Sequence, residues 1–177
     1  MNNIIIVEDR LGRAISLAKQ FKELSQEHPE YELSVSGICY FCSDLQKAEK
    51  EIQDETQCEW EMKGVNLINF DETLDEYLYA DGTRTFIIVD FMLDDDGSDG
   101  RPTSRVNIRY ARKKGRCDTN RLWFYTGTGT VNQQILSQLV GKEHVLEVLK
   151  ADGDSLRLRL DNADFIRALT TGMLLEV

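Results

Sequence analysis

Four apolar runs in the chain each end at a residue type that phosphoryl chemistry uses. IIIV runs into Glu8 and Asp9, FIIV into Asp90, LWFY into Thr126, and VLEVL into Lys150. In an open parallel α/β sheet the carboxyl ends of neighbouring strands face one crevice, so groups distant in sequence become one site. A phosphoryl group moving onto a carboxylate carries dense negative charge. It needs a divalent cation to gather the reactants, and donors or cations for its oxygens. Glu8 and Asp9 offer oxygen ligands for Mg²⁺, with water completing an octahedron. Asp90 can ligate the metal and attack as nucleophile. Thr126 can donate its hydroxyl to a phosphoryl oxygen, Lys150 can pair with another as a compact cation, and Gly127 leaves room for that oxygen to approach.

The elements that must position these groups are legible in the apolar pattern. Residues 3 to 7 read as a buried strand, β-branched and nearly all apolar, as parallel strands covered on both faces tend to be. Leu11, Ala14, Ile15, Ala18, Phe21 and Leu24 recur at steps of three and four, which predicts a helix from about Leu11 to Ser25, broken by His28-Pro29. Leu33 to Phe41 is the second strand. Ser43 and Asp44 can cap a helix carrying Leu45, Ala48 and Ile52 inward. A βαβ unit takes about 30 residues, yet Asp9 and Asp90 stand 81 apart, leaving a surplus of roughly thirty residues. That surplus is assigned to an insertion at about 55–84, holding a strand over Val65 to Phe70 and a short acidic helix over Asp71 to Tyr79.

Thr85 to Val89 is the third core strand, and Pro102-Thr103-Ser104 starts a basic helix, Arg105 to Lys114. Leu122 to Tyr125 is the fourth strand. Thr126 to Thr130 leads into a helix through Ile135, Leu136 and Leu139 that Gly141 stops. Val145 to Leu149 is the fifth strand, after which Leu156, Leu158 and Leu160 alternate with Arg157 and Arg159 as a hairpin return. A last helix runs from Ala163 to about Leu174, burying Phe165, Ile166, Leu169 and Met173.

With 177 residues the chain is long enough for one well-buried core and short for two, so residues 1–177 read as one domain. Apolar residues make up 41%, and no run approaches the roughly 18 residues of a membrane span. The short stretch Ile4 to Val7 does not make a signal-peptide core. These features predict a soluble, cytoplasmic protein without membrane partners. A net charge of −10 and a pI near 4.7 argue against nucleic-acid binding, which requires a basic footprint. The charge is uneven: eight Lys or Arg stand against one acid between Arg101 and Arg121, and twelve acids against three lysines between Asp44 and Asp81. Cys39 and Cys42 have metal-like spacing, but Cys58, Cys117, His28 and His144 do not complete a zinc set, so buried apolar roles are expected.

The ordered set VED at 7 to 9, IIVD ending at Asp90, Asp99-Gly100, YTG at 125 to 127 and LK at 149 to 150 resembles the receiver domains of two-component response regulators. The resemblance spans the whole chain in pieces. It implies a three-layer, flavodoxin-like (βα)5 fold with sheet order 2-1-3-4-5, here carrying the insertion and an extra strand near the C-terminus. It further implies Mg²⁺ held by Glu8, Asp9, Asp90 and Met92, and phosphorylation of Asp90 assisted by Thr126 and Lys150. A histidine kinase or phosphotransfer protein would be the donor, and an output protein would read the result, with the basic helix Arg105 to Lys114 as its docking surface. Such a stand-alone protein is a switch more than an enzyme, catalysing only its own phosphorylation and dephosphorylation.

The sequence departs from the family pattern where prolines are usual, at Asp94 and Ala151, and where an aromatic switch residue is usual, at Glu147. These departures favour a second reading, a degenerate receiver that binds partners without phosphorylation. A third is a metal-dependent hydrolase or nuclease using the same carboxylates. Asp94 to Gly100 lacks the EF-hand register, and Thr126 to Thr130 lacks the Gly-Lys-Ser/Thr of a P-loop.

Overall fold

The computed structural model describes residues 1–41, 45–54, 60–65, 72, 84–91, 93, 121–127 and 130–171. Five strands, β1 (Asn2–Glu8), β2 (Leu33–Phe41), β3 (Glu61–Val65), β4 (Arg84–Asp90) and β5 (Leu122–Tyr125), form one sheet in the order β3-β2-β1-β4-β5. Every neighbouring pair is parallel. Four helices are described: α1 (Leu11–Glu27), α2 (Leu45–Asp54), α3 (Thr130–Val140) and α4 (Ala163–Thr171). Two further strands, β6 (Val148–Asp152) and β7 (Ser155–Leu158), pair antiparallel as a separate hairpin.

The central strand β1 is apolar on both faces because both faces are covered. Ile5 and Val7 join Ile87, Val89, Leu122, Phe124, Leu136 and Val140 in one core, which places α3 on that side. Ile4 and Ile6 join Ala14, Leu17, Phe21, Phe86, Trp123 and Phe165 in the other, which places α1 and α4 on the opposite side. The result is helix, sheet, helix, and each fully buried aliphatic side chain contributes roughly 1.5–3 kcal/mol.

Local chemistry closes the elements. Asn162 caps α4, its Oδ1 accepting from the backbone N–H of Asp164 at 2.9 Å and of Phe165 at 3.1 Å. Gly141 ends α3 with φ of 92°, a conformation that a side chain disfavours. Buried Asn2 fastens the start of β1, donating to the carbonyls of Tyr31 at 2.7 Å and Leu169 at 3.1 Å.

The sheet order differs from the expected 2-1-3-4-5, for two physical reasons. First, Glu61–Val65, within the segment expected as an insertion, adds to the sheet edge beside β2. Of the expected strand Val65 to Phe70, only Val65 is described, as the end of β3, and 66–70 lie outside the described residues. Second, the expected fifth strand, Val145 to Leu149, does not form a full ladder. Val145 makes a single parallel bridge to Phe124, Leu146 N–H donates to the Phe124 carbonyl at 2.8 Å, and the chain then leaves the sheet for the hairpin. Leu149 to Asp152 of β6 are all exposed, which a central parallel strand is not.

The hairpin docks on α1 instead. Leu156 and Leu158 are buried, as their alternation predicts, while Arg157 is exposed. Polar side chains of α1 serve the backbone of β7: Ser16 Oγ donates to the Leu156 carbonyl at 3.0 Å, and Leu158 N–H donates to Gln20 Oε1 at 3.0 Å. In α3, Leu136 and Val140 face the core, whereas Ile135 and Leu139 are exposed. The expected acidic helix over 71–79, apart from Glu72, the capping pair 43–44, the acidic loop 94–100, the basic helix 105–114 and Met173 lie outside the described residues.

Phe165 meets Phe21, Phe86 and Trp123 edge-on, with centroids at 6.2, 6.3 and 5.0 Å. Phe165→Ala should lower unfolding stability by about 3–5 kcal/mol. Urea denaturation checks this, with a fallen midpoint and an unchanged slope expected.

Candidate functional site

Glu8 closes β1 and Asp9 follows it, while Asp90 closes β4 on the neighbouring strand. Parallel pairing of Val7 with Val89 brings these ends level. One carboxylate oxygen from each of Glu8, Asp9 and Asp90 lies within 4.8 Å of the others. Glu8 is fully buried and Asp90 is 3% exposed. On the far side of β4, Asp90 pairs with Tyr125, and Phe91 N–H donates to the Tyr125 carbonyl at 2.8 Å, carrying the ladder one step past the acid. Thr126, also buried, follows.

Glu8 is held from two directions. Its Oε1 accepts from the backbone N–H of Asp9 and of Arg10, both at 3.1 Å, which turns the chain out of β1 toward α1. Its Oε2 accepts from the Tyr125 hydroxyl of β5, across β4. Burial, reinforced by the nearby Asp90 and Asp9, pushes the Glu8 carboxyl well above its ordinary value. Burial beside Glu8 and Asp90 likewise raises the Tyr125 phenol, keeping it a hydrogen-bond donor. The crowding is a demand for positive charge: a proton on Glu8 or a cation among the three relieves it. An all-oxygen donor set of this kind suits a hard divalent ion such as Mg²⁺.

The remaining expected residues are arranged more loosely. Lys150 stands exposed on β6 and shares with Thr126, Gly127 and Gln133 the lining of a cavity of about 320 Å³. Met92 lies outside the described residues. Glu147 is half-exposed and pairs with Arg159 at 2.7 Å. Cys39 is buried in the core, as its apolar reading required, and Cys42, Cys58 and Cys117 lie outside the described residues. A larger cavity, about 610 Å³ between α1, the hairpin and α4, lies among Gln20, Leu24, His28 and Leu158 and does not include Glu8, Asp9 or Asp90.

No protein-family model, curated protein or solved structure matches the chain. The arrangement is therefore read from its own chemistry. Sequence reasoning missed Tyr125 as a functional group, although a tyrosine inside a fully apolar strand carries a signal: its buried hydroxyl must find a partner. Among the described residues no helix is long and apolar enough to cross a membrane.

Because folding raises the Glu8 value, the folded state holds the proton more tightly than the unfolded chain. Its stabilising contribution is complete below the ordinary value of 4.5 and is lost as pH rises through the folded value. In EDTA, urea midpoints of the wild type should fall more steeply between pH 5 and 8 than those of Glu8→Gln, and Mg²⁺ should narrow the gap. Parallel profiles in EDTA would refute the assignment.

Proposed function

We propose that the chain is a receiver-like phosphoacceptor of two-component signalling, built on a flavodoxin-like sheet that is extended by β3 and completed by a hairpin. What carries this reading is the convergence of Glu8, Asp9 and Asp90 at the ends of two adjacent parallel strands, with Thr126 at the end of the next. The order of these residue types along the chain supports it further.

In this reading Glu8, Asp9 and Asp90 hold Mg²⁺, which would screen the charge between the acids and the incoming phosphoryl group. The Asp90 carboxylate attacks phosphorus, the bond from phosphorus to the donor's leaving group breaks (an imidazole nitrogen of a phosphohistidine, or the acetate oxygen of acetyl phosphate), and an acyl phosphate forms on Asp90. Thr126 donates its hydroxyl to a phosphoryl oxygen, and Lys150, on the same cavity, supplies a cation. The Tyr125 hydroxyl and the N–H groups of Asp9 and Arg10 keep Glu8 in place. A histidine kinase or phosphotransfer protein in the cytoplasm is the donor this reading assigns, and an output protein is the reader.

One observation favours a second reading, a receiver-derived binding module that works without phosphorylation. The position where an aromatic switch is usual holds Glu147, paired with Arg159 on the hairpin, so the usual route from acceptor to output is absent.

Incubation with acetyl phosphate and Mg²⁺, followed by intact mass, separates the two. The wild type should gain one phosphoryl group, and Asp90→Asn or EDTA should abolish the gain. Labelling of Asp90→Asn at the wild-type level would refute the acceptor assignment, and an unlabelled wild type would support the binding module.

A further inference from the structure

The guanidinium of Arg13 stands against Gly127, in the loop that follows β5. Arg13 lies one turn into α1, just after the acidic pair. Its Nε donates to the Gly153 carbonyl at 2.8 Å, which fixes the plane of the guanidinium across the hairpin turn. One terminal nitrogen, Nη1, lies 2.9 Å from the position a Cβ would take on Gly127. A Cβ at Gly127 would meet that nitrogen, so a side chain there would displace the flexible end of the fork.

Gly127 directly follows Thr126, so the fork lies over the loop that leaves β5 beside Asp90. Among the described residues no acid pairs with Arg13, and its terminal nitrogens make no hydrogen bond. A fork oriented at one end and bearing, among the described residues, unused donors at the other matches a tetrahedral oxyanion, whose oxygens accept parallel N–H groups.

We propose that Arg13 is an anion-binding residue of this site, its terminal N–H groups pairing with the oxygens of a phosphoryl donor brought over the Thr126-Gly127 loop. The inference rests on the phosphoacceptor reading and deepens it. It assigns the orienting cation to α1, with Lys150 as an exposed auxiliary. It also ties the hairpin to the bound anion, because the same guanidinium holds the Gly153 carbonyl.

The test compares wild type, Arg13→Gln, Arg13→Lys and Gly127→Ala by intact-mass labelling over a range of acetyl phosphate concentrations. Mg²⁺ affinity is measured separately by tryptophan fluorescence, and folding by thermal denaturation. Arg13→Gln should raise the half-saturating acetyl phosphate concentration on the order of tenfold. It should leave Mg²⁺ affinity and the labelling rate at saturation near wild type. Arg13→Lys should recover part of the loss, and Gly127→Ala should reproduce it without altering residue 13. Wild-type half-saturation in Arg13→Gln, with Mg²⁺ binding and labelling intact, overturns the role of Arg13 alone. Loss of Mg²⁺ affinity and donor saturation together in Arg13→Gln, unrescued by lysine, overturns it in favour of a structural role. A wild type that neither binds Mg²⁺ nor labels overturns both this inference and the phosphoacceptor reading.

Discussion

A carboxylate buried at the end of the central strand is the constraint around which the molecule is organised. Removing an ionised carboxylate from water is expensive unless it is hydrogen-bonded and its charge is answered. Glu8 meets the first condition with the N–H groups of Asp9 and Arg10 and the Tyr125 hydroxyl. The second is made harder by Asp90 and Asp9 close by. The Tyr125 bond reaches from β1 across β4 to β5, so it couples the registers of three strands. The two backbone bonds set the direction in which the chain enters α1. Moving any of these strands by one residue would reverse its faces and separate Glu8 from the Tyr125 hydroxyl.

The acids gather because parallel pairing levels the strand ends. Ridges of Ile and Val on both faces of β1 and β4 hold the pairing, and the same burial that stabilises the sheet removes water from Glu8 and Asp90. Stability and reactivity are thus opposed at one place. Core burial favours the sheet, while the clustered negative charge disfavours it until a proton or a cation arrives. Proteins commonly concentrate perturbed acids at functional sites in this way. Here the perturbation has a geometric cause in the three acids themselves and does not rest on burial alone.

Much of the scaffold could be read from the chain, because the signals were local. The spacing of Ala14, Ala18 and Phe21 marked α1, the unbroken apolar runs marked β1, β4 and β5, and the alternation of Leu156 and Leu158 marked the hairpin return. What could not be read depends on partners distant in sequence. The run Val145 to Leu149 has the composition of a buried strand, but whether it joins the sheet depends on the competing hairpin, whose Leu156 and Leu158 bond Ser16 and Gln20 of α1 more than 130 residues away. In α3 the apolar residues occupy more than one side, so Leu136 and Ile135 looked alike until packing separated them. The three acids were legible as strand ends. Tyr125 and Arg13 were not, since each acts through a partner that only the fold supplies.

The hairpin carries the largest consequence for how such a site would work. A fifth parallel strand would deliver its terminal lysine directly to the crevice, in line with the other strand ends. Turning the chain away after Val145 instead leaves Lys150 exposed on a two-stranded ribbon. The ribbon is fastened at three levels along α1: Gly12 against Asp154, Arg13 to Gly153, and Ser16 with Gln20 to β7. The first turn of α1 in turn begins where Glu8 captures the Asp9 and Arg10 amides. A change in charge among the acids therefore meets the ribbon through one rigid helix start, with Arg13 as the link nearest the loop. The described contacts thus join the acids to the surface hairpin through the start of α1.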